Sequence, residues 1–300
     1  MNKFFNFYQK GKFKLKQKIS KILVKLDFLP ESLLVMNSHK KEISFSSLFI
    51  NHNGNHADKW RGYLDIYDEI LLNFKNHKIN FLELGVNNGG SLEIFSAYFD
   101  KAEVIVGVDI NENCSFINFN DERIKVIIGD SSEESIKERI KLFANKYNVI
   151  IDDASHMSDH IIKNFFNLVE LVENGGIYII EDLCCSYWND YGGGLSKENS
   201  AITFFSDLIN IVNYQHWEVD LKIKDFLKKY GVENISDSLI NKLKSIVKIS
   251  FYNSICVLNF ADSNISSNIG KRICRGLPKI NKNVGSDGDD IKSLINFQKE

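Results

Sequence analysis

Short apolar runs alternate with amphipathic segments between residues 79 and 180. The apolar runs have the length of strands and lie at residues 79–84, 104–108, 124–128, 149–151 and 177–180. The segments between them carry apolar residues at helical spacing, at residues 91–99, 133–146 and 159–173, and the last ends in a predicted helix stop at residues 173–176. Strands separated by helices imply right-handed crossovers, so this region predicts a parallel, doubly wound sheet.

Two further β-rich runs, residues 246–252 and 254–260, are separated only by Asn253. This spacing predicts an antiparallel hairpin that closes one edge of the sheet. The expected fold is therefore α/β, with a doubly wound, mostly parallel, seven-stranded Rossmann-like sheet and an antiparallel terminal hairpin. A dehydrogenase sheet would continue with a second parallel half, so the reversed last strand favours the class I methyltransferase arrangement.

The chain is expected to have one large domain with an appendage at each end. The predicted parts are an N-terminal extension (1–57), a main domain (58–262) with a helical insertion at about 186–245, and a C-terminal tail (263–300). Eight lysines and no acidic residue precede Asp27, and the apolar positions 15, 19, 22, 23 and 26 have helical spacing. Residues 1–28 thus predict a basic amphipathic helix, which could pack on protein or make peripheral contact with an anionic membrane or another polyanion.

The composition is that of an ordinary globular protein, with 44% hydrophobic and 25% charged residues and a net charge of −2. No stretch approaches the ~18 apolar residues that a membrane-spanning helix needs. The five cysteines include no C-x-x-C spacing, which indicates reduced thiols rather than a disulfide framework or a zinc site. We expect a cytoplasmic protein, peripheral at the inner membrane face if residues 1–28 bind lipid, with no nucleic-acid partner.

A glycine-rich turn follows the first predicted strand. Gly85 and Gly89 allow close backbone approach, and a helix that begins near Ser91 offers free N–H groups to a polar ligand. Asn87 stands where a third glycine is common, and asparagine tolerates the left-handed conformation that such a turn needs. This segment predicts a cofactor cradle, although the same turn also closes α/β units that bind nothing.

Acidic residues follow the second to the fifth strand of the predicted parallel sheet. Asp109, 24 positions after Gly85, is suited to accept hydrogen bonds from ribose hydroxyls, and Asp130 with Ser131 could meet an adenine edge. Ligands bind beyond the carboxyl ends of strands in such sheets. The same rim therefore gathers Asp109, Asp130, Asp152, Asp153, Glu181 and Asp182.

So many carboxylates at one edge would repel each other unless a cation or hydrogen-bond donors lay between them. Asp153, Glu181 and Asp182 are hard oxygen donors of the kind that Mg²⁺ prefers. His156 is the expected general base, because a nearby cation keeps its imidazole neutral. The alternative is that these aspartates merely cap local helices. His160, one helical turn further on, is expected to be a supporting or core residue.

An aromatic, glycine-rich segment follows the fifth predicted strand. Tyr187, Trp188 and Tyr191 lie beside three consecutive glycines at 192–194. Aromatic faces suit the apolar faces of sugars, and glycines suit a loop that closes over a ligand. We expect these three side chains to contact the substrate, with an ordinary surface turn as the alternative.

The motifs together resemble a known family. They are Glu83-Leu-Gly-Val-Asn-Asn-Gly-Gly, Gly107-Val-Asp109, Ile151-Asp-Asp-Ala-Ser-His156 and Glu181-Asp-Leu-Cys-Cys-Ser-Tyr-Trp188, preceded by Asp58-Lys59. In these positions the chain resembles the metal-dependent sugar O-methyltransferases among the class I S-adenosylmethionine-dependent enzymes, over about residues 56–260.

The resemblance implies S-adenosylmethionine and Mg²⁺ as cofactors. It implies Asp153, Glu181 and Asp182 as metal ligands, Asp153 and His156 as catalytic residues, and Asp152, Asp109 and the Gly85 loop as cofactor contacts. Lys59, Tyr63 and Glu83 are also expected to bind the cofactor.

The expected function is thus Mg²⁺-dependent O-methylation of a sugar or glycan hydroxyl, in bacterial surface-glycan or natural-product glycan tailoring, by a homo-oligomer. Two alternatives stay open. One is a nicotinamide-linked oxidoreductase or a related hydroxylase. The other is a non-catalytic protein that binds a membrane surface or a polyanion.

Overall fold

The computed structural model describes residues 43–219, 221–232, 235–262, 269–280 and 285–289. The chain divides into two compact units, Met1–Ser44 and Phe45–Glu300. The predicted basic helix within residues 1–28 lies outside the described residues. In the described ranges, no helix is long and apolar enough to cross a membrane.

A seven-stranded sheet forms the centre of the second unit. Its strands are β1 (Asn80–Leu84), β2 (Val104–Asp109), β3 (Ile124–Ile128), β4 (Tyr147–Asp152), β5 (Val172–Ile180), β6 (Ile246–Phe251) and β7 (Cys256–Phe260). The spatial order is β3-β2-β1-β4-β5-β7-β6. Strands β1 to β5 are parallel, and β7 pairs antiparallel with both β5 and β6. The predicted α/β sheet with a reversed terminal hairpin is confirmed.

Helices cover both faces of this sheet. They are α1 (Phe45–Ile50), α2 (Arg61–Ile70), α3 (Gly90–Tyr98), α4 (Glu134–Lys141), α5 (Ser158–Leu168), α6 (Ala201–Val212), α7 (Ile223–Leu227) and α8 (Asp237–Lys244). Helices α1, α2 and α3 pack on one face, and α4 to α8 pack on the other.

The strands read as continuous apolar runs because both of their faces are buried. In β5, Ile177 and Ile179 enter the core on the α2 side, whereas Tyr178 and Ile180 enter the core on the α5 side. Burial of each such side chain is worth roughly 1.5–3 kcal/mol, so the two cores together hold the sheet and its polar rim in place.

The predicted helix over residues 159–173 is wrong at its end. Helix α5 stops at Leu168, a 3₁₀ turn follows, and β5 begins at Val172. Gly175 and Gly176 do not stop a helix; they lie where the pairing of β4 with β5 shifts register. Gly175 has φ +72°, and a β-carbon on Gly176 would lie 2.8 Å from the Asn148 carbonyl oxygen. The two glycines therefore serve a β-bulge.

The compact unit starts before the predicted boundary at residue 58. Phe45 of α1 is fully buried and its ring lies 4.9 Å from that of Phe95 and 5.0 Å from that of Tyr67. The segment between β5 and β6 contains helices α6, α7 and α8. Its aromatic side chains, Trp217, Phe226 and Tyr230, are partly buried against the α5-side core.

Candidate active site

The glycine loop after β1 is held in place by backbone hydrogen bonds and by Asp109. The Gly85 N–H donates to the Val108 carbonyl oxygen at 2.8 Å, and Asp109 Oδ2 accepts from the N–H groups of Val86 and Asn87 at 2.8 and 3.0 Å. Asn87 has φ +48°, the left-handed conformation expected of it. Gly85 has φ +92°, and a β-carbon there would lie 2.1 Å from the Asp153 carbonyl oxygen. This position therefore requires glycine.

Two cavities meet at this loop, and Gly85, Asp109 and Ala154 line both. The first has a volume of about 310 Å³, and its walls include Asp130 and Ser131. The second has a volume of about 470 Å³ and is lined by His56, Ala57, Asp58, Lys59, Val86, Asn87, Ser91, Asn111, Asp153, His156 and Asp182 in addition to the shared residues. Together they make an elongated site along the carboxyl ends of β1, β2 and β4, where the topology predicts a ligand.

Asn164 is a site residue that the sequence did not reveal. It lines the first cavity, accepts from Ser131 Oγ at 2.9 Å through Oδ1 and donates from Nδ2 to Asp152 Oδ2 at 3.1 Å. The available signal was an asparagine on the otherwise apolar face of α5. A buried polar side chain in such a place needs partners, so it marks a hydrogen-bond network.

Asp152 and Glu83 stand behind the cavity walls. Burial raises the pKa of Asp152 to about 7 and the pKa of Glu83 to about 8. Glu83 accepts a hydrogen bond from Ser91 Oγ at 2.7 Å. One oxygen of each carboxyl group, Asp152 Oδ1 and Glu83 Oε1, lacks a partner in the part of the chain that is described. Each carboxyl group is thus hydrogen-bonded to a residue that lines a cavity: Asp152 to Asn164, and Glu83 to Ser91.

An open group of potential metal ligands lies at the end of the second cavity. One ligand atom each from Asp153, His156 and Asp182 lies within 4.8 Å of the others. His156 Nε2 is 3.8 Å from Asp182 Oδ2, and Tyr63 donates from its hydroxyl to Asp182 Oδ1 at 2.6 Å. Glu181 is not among these three. His156 and Asp182 have φ of +57° and +51°, a backbone conformation that clusters at functional sites.

A second, buried group lies directly beside the first. Lys59 Nζ donates to Asp153 Oδ2 at 2.8 Å and to the two Glu181 oxygens at 2.7 and 2.9 Å. The Tyr67 hydroxyl also donates to Glu181. Although burial opposes its charge, attraction to Asp153, Glu181 and Glu83 raises the pKa of Lys59 well above its usual value. Lys59 therefore lines the second cavity as an ammonium bound to carboxylates.

Capping does not explain these aspartates. Helix α5 begins after Met157, and the 3₁₀ turn Leu183–Tyr187 begins after Asp182. At these two described helix starts no side chain makes a capping hydrogen bond.

His160 differs from the expectation of a core residue. Its side chain is 46% exposed, lines the first cavity and places Nδ1 3.1 Å from Ser155 Oγ.

The aromatic segment starts at Tyr187, five residues after Asp182. Tyr187 and Trp188 are about half exposed, and the ring of Trp188 lies 5.7 Å from that of Tyr191. The glycines that follow bring the chain back towards the start of α5, since a β-carbon on Gly192 would lie 3.8 Å from Ser158 Cβ. The backbone of this segment therefore returns to the His156 end of the site, whereas Tyr187, Trp188 and Tyr191 line neither of the two cavities.

Residues 59–191 match the family described as "Rhamnosyl O-methyltransferase/CmcI". Among characterised relatives, the chain is 29% identical over 161 residues to "Mycinamicin VI 2''-O-methyltransferase" of Micromonospora griseorubida, covering 51% of this chain and 39% of that protein. It is 28% identical over 161 residues to "Demethylmacrocin O-methyltransferase" of Streptomyces fradiae, covering 51% of this chain and 40% of that protein. The chain thus spans less than half the length of these two relatives.

A solved structure of the MycE methyltransferase from the mycinamycin biosynthetic pathway, in complex with Mg and SAH, shares the fold. It superposes with a TM-score of 0.61 at 22% identity, over 89% of this chain and 62% of that one. The fold expected from the motifs is confirmed: the chain has the class I methyltransferase fold, and residues 59–191 are similar to the rhamnosyl O-methyltransferase/CmcI family.

Proposed function

We propose that the protein is an S-adenosylmethionine-dependent O-methyltransferase that uses Mg²⁺ and acts on a sugar hydroxyl. The observation that carries the proposal is the junction of the two cavities with the Asp153, His156 and Asp182 group. A cofactor in those cavities would end beside an imidazole and two carboxylates. The names of the two relatives, both O-methyltransferases, and of the rhamnosyl O-methyltransferase/CmcI family support the same chemistry.

The cofactor's adenosine is assigned to the first cavity and its methionine part to the second. Asp109 faces both cavities while it holds the glycine loop, so it is placed to accept from ribose hydroxyls as well. Asp130 and Ser131 lie where the adenine would bind. Tyr63 contributes indirectly through Asp182, in the same way that Glu83 and Asp152 act through their neighbours. A side chain held by packing and by a second layer of hydrogen bonds positions its ligand more accurately.

The open group fits a divalent cation. Asp153 and Asp182 supply the carboxylate oxygens that Mg²⁺ prefers, and water and acceptor oxygens would complete a Mg²⁺ shell. When bound, Mg²⁺ supplies positive charge that stabilises a developing alkoxide. Glu181, the third predicted ligand, is already bound to Lys59, so its part in the metal site stays a prediction.

His156 is assigned the role of general base. Its imidazole is about one-quarter exposed, at the end of the second cavity, where an acceptor hydroxyl could approach. The ring would take the proton of the acceptor hydroxyl as that oxygen forms its bond to the methyl group, and S-adenosylmethionine, when bound, would supply the methyl carbon and a sulfur leaving group that keeps the bonding electron pair. The neighbouring Asp182 carboxylate then stabilises the imidazolium. Orientation of the two substrates supplies much of the rate.

The acceptor is assigned to the His156 end of the site, to which the segment of Tyr187, Trp188 and Tyr191 returns. The relatives favour natural-product glycans over surface polysaccharide as the setting. Homo-oligomer formation, a cytoplasmic location and peripheral membrane contact through residues 1–28 stay predictions.

The test is methyl transfer from labelled S-adenosylmethionine to a panel of macrolide glycosides, nucleotide sugars and capsule fragments, with Mg²⁺ and with a chelator. The proposal predicts labelled product with at least one sugar acceptor and loss of product with chelator. Activity that is insensitive to chelator would reject the metal role. A thermal shift with a nicotinamide cofactor but not with S-adenosylmethionine would favour the oxidoreductase instead.

A further inference from the structure

A third cavity, of about 550 Å³, lies beside the two that are assigned to the cofactor. It shares His56, Asn87 and Asn111 with the second cavity, so the two are neighbours. Asp109, the assigned ribose contact, lines the first and second cavities but not the third. Small-molecule sites have volumes of roughly 300–1,000 Å³, so the third cavity has room for a ligand of its own.

Three segments of the chain form the walls of the third cavity, and they pack directly on one another. A β-carbon on Gly90 would lie 2.2 Å from the Asn55 carbonyl oxygen, so the segment before α2 lies against the start of α3. A β-carbon on Gly89 would lie 2.8 Å from the ring of Phe119, so the loop after β2 lies against the glycine loop. Such close backbone packing fixes the walls before a ligand binds.

The lining of the third cavity is rich in side-chain amides and, among the described residues, contains no Asp, Glu, Lys or Arg. The amides are those of Asn55, Asn87, Asn88, Asn111, Asn113 and Asn118. Each amide offers a carbonyl acceptor and two N–H donors. Burial raises the pKa of the Cys114 thiol to about 11, so this lining residue is also uncharged at neutral pH. The lining therefore suits an uncharged ligand that both donates and accepts hydrogen bonds.

Local hydrogen bonds orient some of these amides and leave others to a ligand. Asn55 donates from Nδ2 to Glu93 Oε1 at 3.1 Å, which leaves its Oδ1 as an acceptor. Asn111 accepts through Oδ1 from the Asn113 N–H at 3.1 Å, which leaves its Nδ2 as a donor. The side-chain amides of Asn113 and Asn118 make no hydrogen bond to the described part of the chain, so both ends of each can bind a ligand.

Phe116 adds an aromatic face to this polar lining, and its side chain is 77% exposed. A sugar ring combines the same two properties, because its hydroxyls donate and accept hydrogen bonds while its C–H face is apolar. A phosphate or carboxylate ligand would be expected to meet lysine or arginine instead. The third cavity is therefore matched to an uncharged sugar better than to an anion.

We propose that the third cavity is a binding site for a neutral sugar unit, which the asparagine amides hold by hydrogen bonds and Phe116 contacts with its ring. The sugar is either a non-reacting unit of a glycan acceptor or a separate saccharide. In the first case the inference rests on the proposed function, but sugar binding itself is measured without turnover.

The test measures sugar binding to the full chain by saturation-transfer NMR and calorimetry, with and without S-adenosylmethionine. The probes are methyl glucoside, maltotriose and, as the anionic comparison, glucose 6-phosphate. The two neutral probes are expected to bind with Kd values of order 1 mM. Their affinity should change by less than about twofold when S-adenosylmethionine is added, and glucose 6-phosphate should bind at least about fivefold more weakly.

Substitutions in the lining locate the bound sugar. Asn113→Ala combined with Asn118→Ala should weaken binding of the neutral probes by about tenfold, because two amides are lost. Phe116→Ala should weaken it by about fivefold. Asn120→Ala is the matched control: this exposed asparagine lies in the same loop but does not line the cavity, so the sugar affinity should not change.

The absence of binding by either neutral probe would overturn the inference, as would affinity that the double asparagine variant leaves unchanged. Binding that S-adenosylmethionine abolishes would also overturn it, because the sugar would then occupy the ribose position of the cofactor. Tighter binding of maltotriose than of methyl glucoside would identify a glycan chain as the ligand, and equal affinity would identify a single sugar; both results support the site. Sugar binding by a chain that transfers no methyl group would reject the proposed function alone.

Discussion

The buried carboxyl group of Asp152 should make the protein less stable as the pH rises. Burial raises the pKa of Asp152 from 3.8 to about 7. The folded chain therefore holds this proton more tightly than the unfolded chain does, so the free energy of unfolding falls with rising pH and levels off above about pH 7. At 1.36 kcal/mol per pKa unit, this group alone lowers stability by about 3 kcal/mol between about pH 5 and about pH 8.

Asp152→Asn removes that ionisation and keeps the shape of the side chain and its bond from Asn164. The free energy of unfolding, measured by urea denaturation, should rise in the variant relative to wild type by about 3 kcal/mol between about pH 5 and about pH 8. Glu83, whose pKa is raised to about 8, is present in both proteins, and its effect cancels in the difference. A difference that stays constant with pH, or that moves the other way, would refute the reasoning.

Three further substitutions test separate parts of the site. Gly85→Ala should weaken S-adenosylmethionine binding, measured by calorimetry, because a side chain there costs about 1–3 kcal/mol of backbone strain. Gly62→Ala is the control: a β-carbon there meets nothing within 4 Å, so the affinity for S-adenosylmethionine should not change. Trp188→Ala should raise the acceptor KM without changing cofactor affinity, and a change in cofactor affinity alone would argue against its placement. Asn164→Ala should remove the hydrogen bonds that Asn164 makes with the side chains of Ser131 and Asp152. The free energy of unfolding, measured by urea denaturation, should fall by about 1–3 kcal/mol. An unchanged urea midpoint would contradict this hydrogen-bond network.

The strands of the sheet and their directions were predictable because the signals for them are local. Each strand from β1 to β5 is an apolar run, and the reversed β7 follows from a hairpin close to it in sequence. The glycine pair at 175 and 176 was misleading for a physical reason. The same two residues suit a helix stop and a β-bulge, and the choice depends on the distant backbone of Asn148 and Ala261, which meet them only in the fold.

The site was predictable where topology alone decides it. Asp109, Asp153 and Asp182 follow strands whose carboxyl ends share one edge, so their proximity needs no side-chain detail. The ion pair between Lys59 and Glu181 was not predictable, because Lys59 lies outside the sheet, just before α2, and meets Glu181 only in the folded chain. A signal did exist: residues 59, 63 and 67 are spaced by four, so that a lysine and two tyrosines can present polar tips to one side.

A paired measurement on His156→Gln tests the role of His156 as general base at the end of the second cavity. S-adenosylmethionine affinity is measured by calorimetry, and methyl transfer to a sugar acceptor is measured with the same preparation and saturating Mg²⁺. The cofactor affinity is expected to stay within about twofold of wild type while the rate of methyl transfer falls by about 10²-fold or more. A variant that keeps the wild-type rate would contradict the account.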